Sequence, residues 1–368
     1  MVPALAVADA LAEAGAEVSF VGTRDRAEAQ LVPAAGYEID FIDVRGLDRR
    51  NPFKAAVALG KSGAAVRVVR RLLEDRGADV VMGGGGYVAA PAGIAATTKR
   101  LPLVLTEADS HLGMANRLLA PRAYRVCLAF PIEGREGARY LVTGRPVPAA
   151  IAAADRGRAR ERFGIDSDVP CLLIFGGSLG ALRINRAAAD AFSPGGPAAD
   201  RPFHVLHIAG KRDYPAVQPD LAGASRYTLL EYLPDLADAL AASDLVLARS
   251  GGSVFEMTAA GRPAVLVPYP HASGRHQHAN AAWMEKAGAA RVVEDEDLDA
   301  DRLVAEVGPM LSDPDLLARM AEASRSLARL DAAERVAGEV LASLRAARGA
   351  VSLPRRARST SSRSAAPA

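Results

Sequence analysis

Short apolar runs recur along the chain, and each is followed by a glycine-rich or polar turn and then by a segment with helical spacing. The run at 245–248, LVLA, is the clearest, because Asp244 precedes it and a Ser-Gly-Gly turn follows it. An uninterrupted apolar run of this length is typical of a parallel strand that helices cover on both faces. Comparable runs occur at 17–21, 37–42, 79–82, 103–105, 125–130, 140–142, 171–175, 203–208, 227–230 and 264–268. The alternation predicts an α/β fold built on parallel sheets.

This pattern occurs twice, and the segment 144–148, GRPVP, separates the two halves. The length of 368 residues also favours two domains over one. We therefore predict two Rossmann-like domains, at 1–145 and 146–328, that face each other across a cleft. A helix at 329–347 is expected to return to the first domain, and the Arg/Ser/Ala/Pro-rich stretch 348–368 is expected to be a disordered basic tail.

Composition narrows the class of protein. Hydrophobic residues make up 50% of the chain and charged residues 24%, and the net charge of +2 gives no electrostatic case for nucleic acid as a partner. Cys127 and Cys171 lie inside apolar runs and are expected to be buried thiols in a reducing compartment. We find no metal-type Cys/His spacing, no apolar run near 18 residues and no signal peptide, so we predict a cytoplasmic protein that does not span a membrane.

The strongest candidate chemistry follows the run at 245–248. The turn at 249–252 leads into a helix with Glu256, and the next strand leads to a polar group made of His276, Gln277 and Asn280. Two successive strand–turn–helix units place these groups at one carboxyl edge of a sheet, where open α/β sheets bind ligands. Backbone N–H groups suit a diphosphate, a carboxylate suits ribose hydroxyls, and amides suit sugar hydroxyls. Ordinary turns with glycine for geometry are the alternative, which the recurrence of turn, carboxylate and amides disfavours.

Other polar or glycine-rich stretches follow other predicted strands. The turn 176–180, GGSLG, is a phosphate-binding candidate, although it is neither a Walker A loop nor a full GxGxxG. A second glycine-rich turn at 83–86 precedes Tyr87, and the stretch 106–116 holds Glu107 and Asn116 at another predicted strand end. Each of these signals is weak alone.

A basic and apolar segment lies at 45–54, RGLDRRNPFK. A charged, solvated surface is one interpretation. The other is contact with anionic lipid headgroups, with the apolar side chains in the membrane interface. The candidate membrane contacts are Leu47, Arg49, Arg50, Phe53 and Lys54.

Taken together, several stretches make the chain resemble the bacterial peptidoglycan N-acetylglucosaminyltransferase family (MurG) from Pro3 to about Arg345. They are PALAVADAL, GGGGYVAAPAGIAA, TEADSHLGMANRLLA, FGGSLGALRINRA and RSGGSVFEMTAAGRPAVLVPYPHASGRHQHANA. The resemblance implies an inverting transferase of the GT-B type, which moves N-acetylglucosamine from UDP-GlcNAc to the undecaprenyl-diphosphate-linked muramyl-pentapeptide, lipid I, and forms lipid II. It implies no protein-bound cofactor, with a divalent cation as an optional aid at the diphosphate, and a peripheral location on the cytoplasmic face of the plasma membrane.

The resemblance also implies roles for individual residues. Glu256 is expected to hold the ribose hydroxyls, and His276 and Gln277 to read the sugar hydroxyls. The full donor-side set is Arg145, Ser178, Ser250, Gly251, Gly252, Ser253, Glu256, His276, Gln277 and Asn280. The acceptor-side set is Gly84, Gly85, Gly86, Tyr87 and Asn116, with Glu107 as a candidate catalytic base or acceptor anchor.

The chain departs from the family pattern in several places. The family begins with a strand and a glycine-rich loop ending in histidine, immediately before the part that matches Val2-Pro3-Ala4. We expect that a start codon placed too far downstream accounts for this difference. The usual linker arginine is Pro148 here, with Arg145 nearby; the RSGG turn is one residue shorter than usual, and His276 replaces a glutamine found in some members.

Two alternative functions stay open. A native start at Met1 would favour a non-catalytic protein that binds UDP-sugars. Another membrane-associated transferase of the same fold, for instance one that glycosylates a diacylglycerol lipid, is the second alternative. A nicotinamide dehydrogenase is disfavoured, because no GxGxxG with an acidic residue about 20 positions further on occurs.

Overall fold

A computed structural model of the protein describes residues 1–44, 52–177, 180–272 and 275–352, with the backbone alone over 52–62 and 349–352. Within these ranges the chain alternates helices and strands, and every strand pair is parallel. The predicted α/β class with parallel sheets is confirmed.

The first half contains two parallel sheets, one with the order β1-β2 and one with the order β3-β4-β5-β6. Its elements are α1 (Val2–Glu13), β1 (Ser19–Gly22), α2 (Glu28–Ala34), β2 (Glu38–Phe41), α3 (Pro52–Asp75), β3 (Val81–Gly83), α4 (Gly86–Thr98), β4 (Leu103–Glu107), α5 (Met114–Leu119), a 3-10 turn (Ala120–Arg122), β5 (Arg125–Leu128) and β6 (Tyr140–Val142). The expected additional strand before Val2 stays a prediction.

The second half contains one six-stranded sheet with the order β12-β11-β10-β7-β8-β9. Its elements are α6 (Ala149–Ala153), α7 (Arg156–Phe163), β7 (Cys171–Phe175), α8 (Leu182–Phe192), β8 (His204–Ile208), α9 (Tyr214–Val217), β9 (Tyr227–Leu230), α10 (Ala237–Ala242), β10 (Leu245–Ala248), α11 (Val254–Ala259), β11 (Ala264–Leu266), α12 (His276–Lys286), β12 (Ala290–Val292), a 3-10 turn (Asp295–Asp297), α13 (Ala300–Leu311), α14 (Pro314–Ser326) and α15 (Ala332–Ser352). Each predicted strand is present within a few residues, whereas β12 was not predicted.

The order of the second sheet reverses between β7 and β10, which pair directly, with Phe175 beside Ala248. At such a switch point the following helices lie on opposite faces of the sheet, and a crevice opens between the two turns. The turn after β7 and the turn after β10 therefore lie side by side. This topology brings together two stretches that are about 70 residues apart in sequence.

Helix α15 leaves the second half and packs against the first. Arg125 Nε on β5 donates to Glu339 Oε2 on α15 at 2.6 Å. The apolar face of α15 shares a buried cluster with α1, β4 and β5, formed by Val7, Leu11, Val104, Cys127, Val336, Ala337 and Val340. Burial of this apolar face stabilises the packing of α15 against the first half, since each Å² of apolar area removed from water contributes roughly 25 cal/mol.

Cys127 and Cys171 are both free and buried, as expected. In the part of the chain that the structure describes, none of the helices combines the length and apolar character needed to cross a bilayer. A groove of about 460 Å³ lies between Arg100, Tyr124 and Ala347, and none of the predicted site residues lines it.

Candidate functional site

The turn after β10 is fastened to α12 by its own polar side chains. Ser250, fully buried, donates from Oγ to the main-chain oxygen of Gln277 at 2.8 Å. Asn280 donates from Nδ2 to the Ser250 oxygen at 2.9 Å and to the Gly251 oxygen at 3.4 Å. Because Ser250 and the Asn280 amide nitrogen bond within the protein, they shape the turn. The Gly251 and Gly252 oxygens also accept bonds from α11, so among the described residues the N–H groups of the two glycines are the backbone groups that could meet a ligand.

Glu256 lies half-buried in the first turn of α11. Burial raises the pKa of its carboxyl group, while the Arg145 guanidinium lowers it and Asp235 raises it. Among the described residues, none donates a hydrogen bond to this carboxylate. A partly buried carboxylate without a donor is unfavourable by itself, so hydroxyl groups of a ligand would improve its surroundings.

Arg145 reaches from the linker between the two halves to the start of α11. Its guanidinium carbon lies 5.7 Å from the centre of the Phe255 ring, and a Cβ atom added at Gly252 would lie 2.3 Å from its Nη2. Burial lowers the pKa of Arg145, while Glu256 and Asp109 raise it. Within the described ranges, no carboxylate oxygen comes within ion-pair distance of its guanidinium. The site therefore contains a cation whose charge is available to an anion.

His276 and Gln277 begin α12 beside the same turn. Gln277 Oε1 accepts a hydrogen bond from the Tyr269 backbone N–H at 2.9 Å, and its Nε2 would lie 3.9 Å from a Cβ atom added at Gly251. His276 is half-buried as the first residue of the helix. The structure thus brings Gln277 to the turn, as the sequence predicted, and Gln277 Oε1 already accepts a hydrogen bond within the protein.

The second predicted phosphate turn follows β7. Gly177 and Gly180 both have positive φ, +96° and +90°, and the Gly180 N–H donates to the Gly177 oxygen at 3.0 Å. Ser178, between them, lies outside the described residues. Ser253, in the neighbouring turn, is the residue before α11 and makes no side-chain capping bond.

On the first-domain side, Glu107 forms the centre of a closed hydrogen-bond set. Its Oε1 accepts from the Asp109 N–H at 3.2 Å, and its Oε2 accepts from the Gly113 N–H at 2.8 Å and from Asn116 Nδ2 at 2.9 Å. Asn116, 1% exposed, also donates to the Thr106 oxygen at 2.9 Å, and its Oδ1 has no partner in the described part of the chain. Glu107 therefore holds the loop that follows β4.

The glycine-rich turn after β3 lies next to this loop. A Cβ atom at Gly84 would lie 3.8 Å from Thr106 Oγ1, and one at Gly85 would lie 3.9 Å from Asn116 Nδ2. Gly85 and Gly86 have φ of +81° and +74°, which disfavours other residues there. Tyr87 is 52% exposed, with the Arg26 guanidinium 5.3 Å from its ring centre. Four of the predicted acceptor residues thus line one edge together with Asn116.

The predicted membrane contacts fall where little is described. Leu47, Arg49 and Arg50 lie outside the described residues. Phe53 and Lys54 belong to α3, of which the structure gives only the backbone at these positions. The membrane interpretation of 45–54 therefore stays a prediction.

An aromatic cluster joins the two halves beneath the site, and sequence reasoning missed it. Phe130, just after β5, lies 5.0 Å from Phe255 and 5.2 Å from Trp283 between ring centres. Phe255 and Trp283 are 5.2 Å apart. Sequence reasoning also missed Lys211 and Tyr232, which follow β8 and β9 at the carboxyl edge of the sheet. Lys211 Nζ lies 4.5 Å from the centre of the Tyr232 ring. The only signal in the sequence for Lys211 and Tyr232 was their position after predicted strands.

The donor atoms near the site do not assemble a metal centre. In the ranges that the structure describes, no three His, Cys, Asp or Glu side chains cluster as potential ligands of one ion. Glu107 and Glu256 differ in their surroundings, since Glu107 accepts from three N–H donors and Glu256 from none among the described residues.

Family descriptions match both halves of the chain. "Glycosyltransferase family 28 N-terminal domain" matches residues 1–128, and "Glycosyltransferase family 28 C-terminal domain" matches residues 171–336. The first match contains the Glu107 loop, and the second contains the turns after β7 and β10.

Relatives along nearly the whole chain agree with these matches. The UDP-N-acetylglucosamine--N-acetylmuramyl-(pentapeptide) pyrophosphoryl-undecaprenol N-acetylglucosamine transferase of Acidithiobacillus ferrooxidans is 43% identical over 337 residues, 91% of this chain and 92% of that protein. The protein of the same name from Salinibacter ruber is 39% identical over 353 residues, 92% of each chain. The crystal structure of Acinetobacter baumannii MurG superposes with a TM-score of 0.71 at 29% identity, over 92% of this chain and 95% of that one. The chain therefore belongs to the MurG family within glycosyltransferase family 28.

Proposed function

We propose that the protein transfers N-acetylglucosamine from UDP-GlcNAc to lipid I and forms lipid II. One observation supports this most strongly: a carboxylate without a donor and a guanidinium without an ion pair, among the described residues, flank the Gly251–Gly252 turn at the switch point of the second sheet. The chain belongs to a family whose curated members have this activity in their names.

The donor site that we propose uses three kinds of group. Glu256 accepts hydrogen bonds from the two ribose hydroxyls, for which its unsatisfied carboxylate is suited. Arg145 and the N–H groups of Gly251 and Gly252 face the diphosphate. His276 and the Gln277 side-chain amide nitrogen read the sugar hydroxyls. Ser250 and Asn280 hold the turn from behind.

The acceptor side that we propose is the edge formed by the turn at Gly84–Gly86, Tyr87 and the loop that Glu107 holds. Asn116 has a buried Oδ1 without a partner in the described part of the chain, and a hydroxyl or N–H group of the acceptor could satisfy it. Since both Glu107 oxygens already accept N–H bonds, we assign Glu107 the role of acceptor-loop anchor rather than base. Glu107 and Arg145 line the same small cavity, so the acceptor loop lies next to the linker that carries Arg145.

The reaction follows from this arrangement. The acceptor hydroxyl oxygen attacks the anomeric carbon of GlcNAc from the face opposite the diphosphate, its bond to carbon forms as the bond from carbon to the diphosphate oxygen breaks, and the configuration inverts. UDP departs with the electron pair, and the hydroxyl proton passes to a base. Arg145 and the backbone N–H groups lower the energy of the departing charge.

A divalent cation is an optional aid in this proposal. Because no three ligand side chains cluster among the described residues, such an ion would take most of its ligands from the diphosphate and water. We also propose that the protein works at the cytoplasmic face of the plasma membrane, where segment 45–54 would meet anionic lipid. No nucleic acid partner is part of the proposal.

The experiment that tests the function is a transfer assay in detergent with purified protein, radiolabelled UDP-GlcNAc and one of two acceptors, a lipid I analogue or a diacylglycerol lipid, with a reaction that contains no acceptor as the control. We expect label in the lipid I product only. Transfer to diacylglycerol would replace the acceptor assignment. UDP-GlcNAc binding without transfer to either lipid would favour the non-catalytic alternative, and no binding at all would overturn the donor site itself.

A further inference from the structure

A set of fully buried polar side chains lies behind the second phosphate turn, outside the groups discussed so far. His207 on β8 and Asn185 on α8 are both 0% exposed. Burying such groups costs free energy unless each donor and acceptor has a partner. His207 and Asn185 are therefore informative through the bonds that they make.

These bonds form one chain with a fixed direction. Asn185 Nδ2 lies 2.8 Å from the Ala209 oxygen and 3.2 Å from Asp213 Oδ2, and because both atoms accept, the Asn185 atom there must be the nitrogen. Asn185 Oδ1 is then an acceptor, 3.0 Å from His207 Nε2, which must carry the proton. Burial lowers the pKa of His207 to about 3, so the ring is neutral at physiological pH.

The other end of the chain follows from the same logic. With the proton on Nε2, His207 Nδ1 is an acceptor, and the Tyr227 hydroxyl, 2.7 Å away on β9, donates to it. The direction runs from Tyr227 through His207 and Asn185 to Ala209 and Asp213. No member can reverse its role without leaving a buried group unpaired.

The two final acceptors lie against Gly180. A Cβ atom added there would lie 2.3 Å from the Ala209 oxygen and 2.7 Å from Asp213 Oδ2. Gly180 has φ of +90°, and its N–H closes the turn back to the Gly177 oxygen. The bond chain thus fixes the position of the loop after β8, and Gly180 packs closely against this loop.

We infer that Asn185, oriented by His207, is a positioning residue for the diphosphate of the donor. It sets the spacing between Gly180 and the loop after β8, and through that spacing it sets where the first residues of α8 present their backbone N–H groups to the phosphates. This inference rests on the proposed function and adds these N–H groups to Arg145, Gly251 and Gly252 on the diphosphate, whereas Asn185 and His207 themselves touch neither nucleotide nor sugar.

The test compares the binding of UDP with the binding of uridine, measured by titration calorimetry on the full chain. In His207→Leu, the Asn185 oxygen loses its donor, and in Asn185→Ala the Ala209 oxygen loses its side-chain donor while Asp213 keeps only the bonds from Arg212. We expect both variants to bind UDP about tenfold more weakly and to bind uridine as the unaltered protein does, because only UDP carries the diphosphate. A general loss of structure would weaken both ligands together.

Two milder variants and one control keep the result decisive. His207→Gln places an amide N–H near the position of Nε2, so it should restore most of the UDP affinity; Tyr227→Phe should have a smaller effect than His207→Leu. His204→Leu is the matched control, because His204 is buried on the same strand and bonds Thr228 Oγ1 at 2.9 Å instead of Asn185.

Three results would overturn the inference: equal losses for UDP and uridine, unchanged UDP affinity in both strong variants, or the same UDP-selective loss in His204→Leu. If a strong variant fails to fold, the milder variants decide: a UDP-selective loss in either His207→Gln or Tyr227→Phe supports the inference, and unchanged UDP affinity in both overturns it. Failure of the unaltered protein to bind UDP would instead refute the donor site.

Discussion

The two sides of the cleft contain the same pair of side chains in opposite states. Each side has a glutamate and a buried asparagine that donates to a backbone oxygen and whose Oδ1 has no partner among the described residues, Asn116 in the first domain and Asn280 in the second. Glu107 accepts hydrogen bonds from three N–H groups, whereas no residue within the described ranges donates a hydrogen bond to Glu256.

The difference separates a carboxylate that builds the protein from one that is available to a ligand. Glu107 stabilises its loop whether or not substrate is present, since charge-assisted hydrogen bonds are stronger than neutral ones. Glu256 is held partly buried beside a cation without hydrogen bonds from the described residues, which is the arrangement expected of a group that a substrate completes.

Exchanging each glutamate for glutamine tests whether Glu107 supports the fold while Glu256 binds the donor. In Glu256→Gln we expect UDP-GlcNAc affinity to fall about 30-fold, because charge-assisted hydrogen bonds contribute about 1.5–3 kcal/mol each. Calorimetric titration with UDP-GlcNAc measures this. Donor affinity within a factor of two of the unaltered protein would refute the ribose assignment.

Glu107→Gln should act on stability instead. Its amide group would turn a donor toward N–H groups that need an acceptor, and we expect the free energy of unfolding to fall by about 2 kcal/mol with donor affinity unchanged. Urea denaturation measures the loss. Glu256→Gln is the matched control and should not be destabilised, because burial disfavours the charge that it removes. Equal stability of both variants would contradict the comparison.

Arg145→Met keeps an apolar stem over Phe255 and removes the charge. We expect UDP affinity to fall about tenfold and uridine affinity to stay constant, because the guanidinium is assigned to the diphosphate. The same calorimetric pair of ligands measures it. An equal loss for uridine would show that Arg145 supports the fold of the turn rather than the phosphates.

The smallest expected effect is on pH dependence. Burial raises the folded-state pKa of Glu256 above the ordinary 4.5, so protonation begins at a higher pH than for an exposed glutamate. Donor affinity, which needs the carboxylate, should therefore weaken as pH falls toward this raised pKa. As pH falls through the same range, the contribution of Glu256 to folding stability should rise, because the folded state binds the proton more readily than the unfolded state. Glu256→Gln should show a flat titration.

Sequence reasoning predicted the turn after β10 but not the hydrogen bonds that its residues make. A Gly-Gly turn between an apolar strand and a helix with a glutamate is a local pattern, and it located Gly251, Gly252 and Glu256. The bonds from Ser250 to Gln277 and from Asn280 to Ser250 join segments about 30 residues apart, which no local pattern reveals.

Sequence reasoning also missed β12 and the burial of Asn185 and His207, for related physical reasons. β12, Ala290–Val292, has only three residues and one buried side chain, so its apolar signal is too short to separate from a helix end. Asn185 lies within a helix and His207 within a strand, where polar residues ordinarily face solvent; their burial depends on packing between α8, β8 and β9.

The return of α15 to the first half has a consequence for the order in which the protein folds on the ribosome. Val104 and Cys127 are buried against Val336 and Val340. Their side chains therefore stay without these packing partners until more than 200 residues after Cys127 have been synthesised. The six-stranded sheet, by contrast, is complete in sequence by β12. The half of the protein that is made first is therefore the half that finishes second, and Arg125 meets Glu339 as a late step of maturation.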